Sequence, residues 1–230
     1  MIILQPQVLV PVGQLDEDIV KRLERYGRVC YKSENSMSPQ GTADFVSGKL
    51  RLGHESIIEH EKVTLMFVCD RGITHEVVRH RIAAYSQEST RYCNYSKDKF
   101  GREITVIEPY FFKNDTAAYD LWAKACQESE DVYMALLDAG RSAQEARSVL
   151  PNCLKTEIVV TYNMREWRHF FRLRCDAAAH PQMRQVAIPL LLLFKERFPA
   201  LYNDIPYDKS FPREHYASIV LTNDLFEPLK

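Results

Sequence analysis

Residues 79–92, RHRIAAYSQESTRY, set Arg79, His80 and Arg81 side by side and add Ser89 and Arg91 after a short apolar step and a polar run. A solvated helix face would space its charges, and a core segment would not carry them. Arginine presents a planar fork of donors that matches phosphate and carboxylate oxygens. Arg147, Arg165, Arg172 and Arg174 likewise lie in or beside segments that otherwise read as buried. For any single arginine, an internal salt bridge is the simpler account, with Glu55, Glu59, Glu61, Glu76 and Glu88 as available partners. For RHR together with RLRC and EARSVLP that account weakens. Shared anionic ligands, such as a phosphate or pyrophosphate, explain the crowding better.

Metal chemistry is the first alternative. A zinc-binding helix pair needs two histidines four residues apart, on one face. In THEVVRHR, His75 and His80 are five apart. That is a rotation of roughly 500°, about 140° off a common face. In GHESIIEH, His54 and His60 flank a turn into a strand. No metal site is expected. Nucleophilic chemistry needs a base and an orienting partner beside the nucleophile. Ser86, Ser89 and Cys93 are the candidates, and Cys93 reads better as a small hydrophobe at the start of a strand.

The elements that must position these residues follow from hydrophobic period and punctuation. Ile19, Leu23 and Tyr26 predict a helix over LDEDIVKRLERYGRV, with acids in its first turn. GTADFVSGKLRLGH predicts a second helix ending near Gly53. KVTLMFVCD predicts a buried strand, and ITHEVVRHRIAAYS a helix striped by Ile73, Val77, Val78 and Ile82. SQESTRYCNYS should be a loop and EITVIEPYFF a strand. A long helix should run from Thr116 to Gly140, and a short one over SAQEARSVLP. LKTEIVVTYN predicts a strand. MREWRHFFRLRC and HPQMRQVAIPLLLLFKERFP predict helices, the second bent by Pro189. The order lacks a regular βαβ rhythm, and neither a G-x-G-x-x-G nor a Walker loop occurs. An α+β fold with a largely antiparallel central sheet flanked by helices is expected, as a single domain over residues 1–230.

Composition narrows the function classes. With 30 Lys+Arg against 31 Asp+Glu over 230 residues, nothing global attracts nucleic acid or an acidic membrane. No apolar run reaches the ~20 residues of a membrane span, and the N-terminus does not read as a signal peptide. The six cysteines form no C-x-x-C pair, which predicts free thiols in a reducing, cytoplasmic setting.

RHR, then IAAYSQE, then Ser89 resembles the signature of the flavin-dependent thymidylate synthases. GHESIIEH, EARSVLP and YNMREWRHFFRLR resemble further segments of that family in the same order, over about Gly53 to Ala187. The resemblance implies reductive methylation of dUMP to dTMP. Methylenetetrahydrofolate would give the carbon, NADPH would reduce FAD, and the reduced flavin would supply the hydride. It also implies a homotetramer with FAD and dUMP bound where subunits meet.

Position by position, the resemblance gives His54, Ser56, Arg79, His80, Arg81, Gln87, Asn163, Arg165 and His169 to FAD. It gives Glu76, Val77, Val78, Arg79, Gln87, Glu88, Ser89, Thr90, Arg91, Arg147 and Arg174 to dUMP. Ser89 and Arg91 would hold the phosphate, aided by Arg147. Arg174 would sit against the uracil, so Arg174 and Ser89 are the catalytic candidates. Glu76 stands where many members have Gln, Gln87 where many have Glu, and Ser86 and His169 replace common asparagines. Residues 178–184, AAHPQMR, replace a His-Ala-Gln-aromatic-Glu stretch. Two other readings stand beside this one: a flavin enzyme acting on another pyrimidine nucleotide, and a nucleotide-binding relative without turnover.

Overall fold

The computed structural model describes residues 1–38 and 41–226. Its elements in chain order are β1 (Ile2–Leu4), β2 (Gln7–Pro11), α1 (Asp18–Val29), α2 (Thr42–Arg51), β3 (Lys62–Asp70), α3 (Arg71–Val77), β4 (Ala83–Gln87), β5 (Thr105–Ile107), α4 (Thr116–Asp138), α5 (Ala143–Ala146), β6 (Lys155–Asn163), α6 (Met164–Arg174), α7 (Pro181–Arg197), α8 (Pro199–Tyr202) and β7 (Ser218–Thr222). Five strands make one sheet in the order β4-β6-β3-β2-β7, and β1 pairs in parallel with β5, Ile3 opposite Val106. The fold is α+β, and the five-stranded sheet is mixed. Its β3–β6 pair runs antiparallel: Arg71 N donates to Leu154 O at 3.1 Å at one end, and Met164 N to Glu61 O at 2.9 Å at the other.

Residue type explains the strands. β3 is buried continuously from Leu65 to Asp70, as its unbroken apolar run requires. β6 alternates, burying Thr156, Ile158, Val160 and Tyr162. The chain divides into two compact units, and β3, β4 and β6 each run from one into the other. The first comprises residues 1–7, 67–79 and 86–158. Tyr95, Ile104, Val106, Cys126, Tyr133, Ala146 and Leu154 form its core. The second comprises residues 8–66, 80–85 and 159–230. There Trp167, Phe170, Phe171, Phe194, Phe198 and Tyr202 are fully buried and packed ring against ring.

Two sequence expectations change. The helix expected over ITHEVVRHRIAAYS ends at Val77, and Ala83–Gln87 is a strand. Its half-buried Ala83, Tyr85 and Gln87 alternate with exposed Ala84 and Ser86, a period of two that the helical stripe concealed. The strand expected over EITVIEPYFF is confined to Thr105–Ile107. Pro109, which has no N–H for a ladder, precedes a 3-10 turn at Tyr110–Phe112. Pro189 lies inside α7. The strands β1, β2 and β7 were not foreseen; the three residues of β1 are all exposed and show no alternation.

Candidate functional site

In the second unit the site is built around His80. β6 ends at Asn163, whose side chain caps α6 by accepting from Glu166 N at 2.8 Å. Glu166, Phe170 and Arg174 are spaced by four and share one face of α6. The His80 ring, 3% exposed, lies on that face, with Phe170 at 5.1 Å and His169 at 5.3 Å between ring centres. Arg174 Nε, which can only donate, is 3.2 Å from His80 Nε2. Nε2 is therefore the acceptor, Nδ1 carries the proton, and Nδ1–H donates to Glu166 Oε1 at 2.8 Å. Burial, then the neighbouring Arg174 and His169, push the His80 pKa down to about 4, so the ring is neutral at pH 7. Burial pushes the Glu166 carboxyl up. The Tyr85 hydroxyl donates to the His80 carbonyl at 2.6 Å and lies 3.0 Å from the Tyr162 hydroxyl, so backbone and ring are both held.

The ligand atoms of His80, Glu166 and His169 lie within 4.8 Å of one another, a grouping that sequence spacing did not suggest. Both His80 nitrogens are already engaged, and the Arg174 cation beside Nε2 opposes a second cation. The donor set fits a hydrogen-bond relay better than a metal. His54 follows Gly53, which has φ 78°, and its Nδ1 is 3.1 Å from the Tyr31 hydroxyl. Ser56 is exposed in the 3-10 turn Glu55–Glu59. Arg165 is ion-paired to Glu59 at 2.5 Å and Glu55 at 3.3 Å. The buried arginine of α6 is Arg168, which sequence reasoning passed over; its two terminal nitrogens hold Asp204 at 2.8 and 2.6 Å.

The first unit carries the remaining candidates. Asp70 caps α3 by accepting from Ile73 N. That short helix carries half-buried Glu76 and buried Val77, then Val78 and Arg79 at the surface, with Arg79 Nε donating to His75 O at 3.2 Å. Gln87 donates to Thr74 Oγ1 at 3.0 Å and Thr156 Oγ1 at 3.4 Å, which ties β4 to α3. The Glu88 carboxylate accepts from Tyr95 at 2.9 Å and Lys155 at 3.4 Å. Ser89 opens a turn in which its Oγ accepts from Arg91 N at 3.3 Å, and buried Thr90 accepts from Arg147 at 3.4 Å. Ser89, Thr90, Arg91 and Arg147 are thus brought together.

Although these arginines lie in or beside segments that read as buried, Arg79, Arg81, Arg91, Arg147, Arg165 and Arg172 are exposed, and Arg174 is half-buried. Of the expected glutamate partners, Glu61 meets Arg22, Glu55 meets Arg165, Arg168 and Arg172, Glu59 meets Arg165, and Glu88 meets Lys155. Among the described residues Arg79, Arg81, Arg91 and Arg147 pair with no carboxylate. Those four candidate arginines are exposed and open to an external anion. Glu166 was also missed, although its spacing of four and eight from Phe170 and Arg174 was visible.

The family described as thymidylate synthase complementing protein matches residues 14–200. The flavin-dependent thymidylate synthase of Geobacter sulfurreducens is 36% identical over 184 residues, covering 77% of this chain and 78% of that protein. That of Corynebacterium aurimucosum is 34% identical over 200 residues, covering 79% and 78%. That of Pyrococcus furiosus is 40% identical over 143 residues, covering 62% and 58%. Among the described residues no helix is long and apolar enough to cross a membrane. With a family match over residues 14–200 and relatives matched over most of the chain, this chain belongs to the flavin-dependent thymidylate synthases, a family of enzymes.

Proposed function

We propose that this enzyme makes dTMP by methylating dUMP reductively, with methylenetetrahydrofolate as carbon donor and NADPH as reductant of FAD. The observation that carries this reading is the anchoring of half-buried Arg174 on a neutral, buried His80. A guanidinium so placed stabilises negative charge developing on a pyrimidine ring without relocating during the reaction. The flavin, when bound, supplies the hydride.

The chain's own residues bind and orient. Arg79 and Arg81, exposed and without carboxylate partners, suit a diphosphate. Asn163, Arg165, His54, Ser56, Gln87 and His169 complete the flavin contacts. The Ser89–Arg91 turn with Arg147 suits the dUMP phosphate, and Glu76, Val77, Val78, Glu88 and Thr90 shape the wall around it. Donors fit the anions, so the residues present suit both ligands. Four copies would complete the shared sites; exposed Ile82 and Leu173 in one unit and Tyr92 in the other are apolar surface that such contacts would cover. The protein mixed anaerobically with NADPH, dUMP and methylenetetrahydrofolate should yield dTMP. A hydroxymethylated nucleotide, or no product from flavin-loaded protein, would overturn the assignment.

A further inference from the structure

The first unit holds two thiols in contact. Cys126, on α4, is 2% exposed. Cys153 is half-buried in the loop between the 3-10 turn Arg147–Val149 and β6. Their sulfurs are 3.3 Å apart. A disulfide needs about 2.05 Å, so a further approach of about 1.3 Å would close the bond. Cys126 is fixed by its helix and Cys153 sits in a loop, so the loop can supply that movement. Trp122, one turn before Cys126, packs against the same core cluster as Cys153. The hydrogen bond from Cys126, above all, holds the Cys153 thiol below its ordinary range, and the same contact together with burial pushes Cys126 up. Cys69 and Cys175, by contrast, are buried, and burial pushes both thiols up.

We propose that Cys153 and Cys126 form a redox-active dithiol that reacts with low-molecular-weight disulfides, Cys153 attacking and Cys126 resolving. In the first step the Cys153 thiolate bonds to one sulfur of the reagent, whose S–S bond breaks and expels one thiolate. Cys126 then loses its proton to solvent and attacks the Cys153 sulfur, forming the Cys126–Cys153 bond and expelling the second thiolate. The protein gives up two protons and two electrons, and the reagent is reduced to two thiols.

The loop that carries Cys153 holds other parts of the unit. The carbonyls of Leu154 and Asn152 accept from Arg71 N and Gly72 N, each at 3.1 Å, at the start of α3. The Cys153 carbonyl accepts from Ile107 N at 2.8 Å. Arg147 begins the turn that leads into this loop. Drawing Cys153 toward α4 therefore pulls on the segment bearing Glu76–Arg79 and on Arg147. Oxidation should weaken nucleotide binding; this consequence rests on the proposed dUMP site, whereas the thiol chemistry does not.

The full-length protein, reduced and then exposed to glutathione disulfide, is trapped with N-ethylmaleimide and digested without reductant. A cross-linked peptide joining the Cys126 and Cys153 segments is expected, lost again on treatment with dithiothreitol. Exposed Cys30 should instead keep a mixed disulfide. Cys126→Ala should stop at a stable glutathione adduct on Cys153. The absence of the cross-link, or an unmodified Cys153 in Cys126→Ala while Cys30 is loaded, would overturn the dithiol. In wild type, oxidation should raise the KM for dUMP severalfold and reduction should restore it. A cross-link that leaves KM unchanged would retain the dithiol and refute its coupling to nucleotide binding.

Discussion

Replacing Glu166 tests how the site is held. Its carboxylate receives the Nδ1 proton of His80 at 2.8 Å, within a pocket where His80 is 3% exposed. Glu166→Ala leaves that N–H buried without an acceptor, a cost of about 1–3 kcal/mol. In a chain of this size 1 kcal/mol moves Tm by about 2–4 °C, so the variant should melt about 2–12 °C below wild type. The second effect is on the tautomer. Without Glu166, nothing holds the proton on Nδ1, and an Nε2–H would face the Nε–H of Arg174, donor against donor. Arg174 then loses its anchor, and turnover should fall by about 10–100-fold, or 1.4–2.8 kcal/mol in barrier. Glu166→Gln keeps a carbonyl acceptor and loses only the charge, so it should lie between the two in both measurements. The assays are calorimetric melting and single-turnover dTMP formation on flavin-loaded protein. An Ala variant equal to wild type in Tm and rate would refute the relay; equal losses in Ala and Gln would show that charge, not the acceptor, matters.

Acidification should destabilise the fold through His80. Its pKa falls from 6.5 to about 4 on folding. The unfolded chain binds the extra proton, and stability is lost as pH drops through that window, by about 2 kcal/mol after solvent screening. Glu166, raised by burial, works in the opposite sense, so Glu166→Gln should steepen the acid slope of Tm and His80→Gln should flatten it; equal slopes in all three proteins would remove the pair from the account. Asp204→Ala strips the buried Arg168 of its bidentate partner and should cost about 2–4 kcal/mol, read as a lower Tm with flavin content unchanged; an unchanged Tm would show that Glu55 or water suffices. Light scattering of flavin-loaded protein should give four chains, and a fully active monomer would contradict the shared-site assembly.

The frame of the molecule was legible in one dimension because its strongest elements carry local signals. KVTLMFVCD is β3 from end to end, and the helix expected over MREWRHFFRLRC is α6. The errors fell where tertiary demand overrides local pattern. The chain abandons α3 after Val77, His80 is seated on α6, and β4 then pairs with β6. The helical stripe through Ile82 could not reveal that, since Ile82 is 58% exposed. Among the arginines, type and spacing pointed to anion binding but not to placement. Arg168, which no sequence signal singled out, is the one enclosed, and the candidates for ligand contact are exposed or half-buried. Pairings across long separations, such as His80 with Glu166 and Cys126 with Cys153, have no local signature at all.

The central claim is that dTMP is formed by flavin hydride under the influence of a fixed arginine rather than through a protein thiolate. The direct measurement is single-turnover dTMP formation, after anaerobic reduction of the flavin, by Arg174→Ala and Cys93→Ala beside wild type. Cys93 is half-buried in the turn after Ser89, its N–H donating to Ser89 O at 2.8 Å, and is the thiol nearest in sequence to the RHR-to-Ser89 motif. Cys93→Ala should retain flavin and make dTMP within about tenfold of wild type, at most about 1.4 kcal/mol in barrier. Arg174→Ala should retain flavin and lose about 2–5 kcal/mol of stabilisation, a fall of roughly 30-fold or more in rate. A flavin-loaded Cys93→Ala that makes no dTMP, with a nucleotide adduct on Cys93 in wild type, or an Arg174→Ala at full speed, would contradict the account.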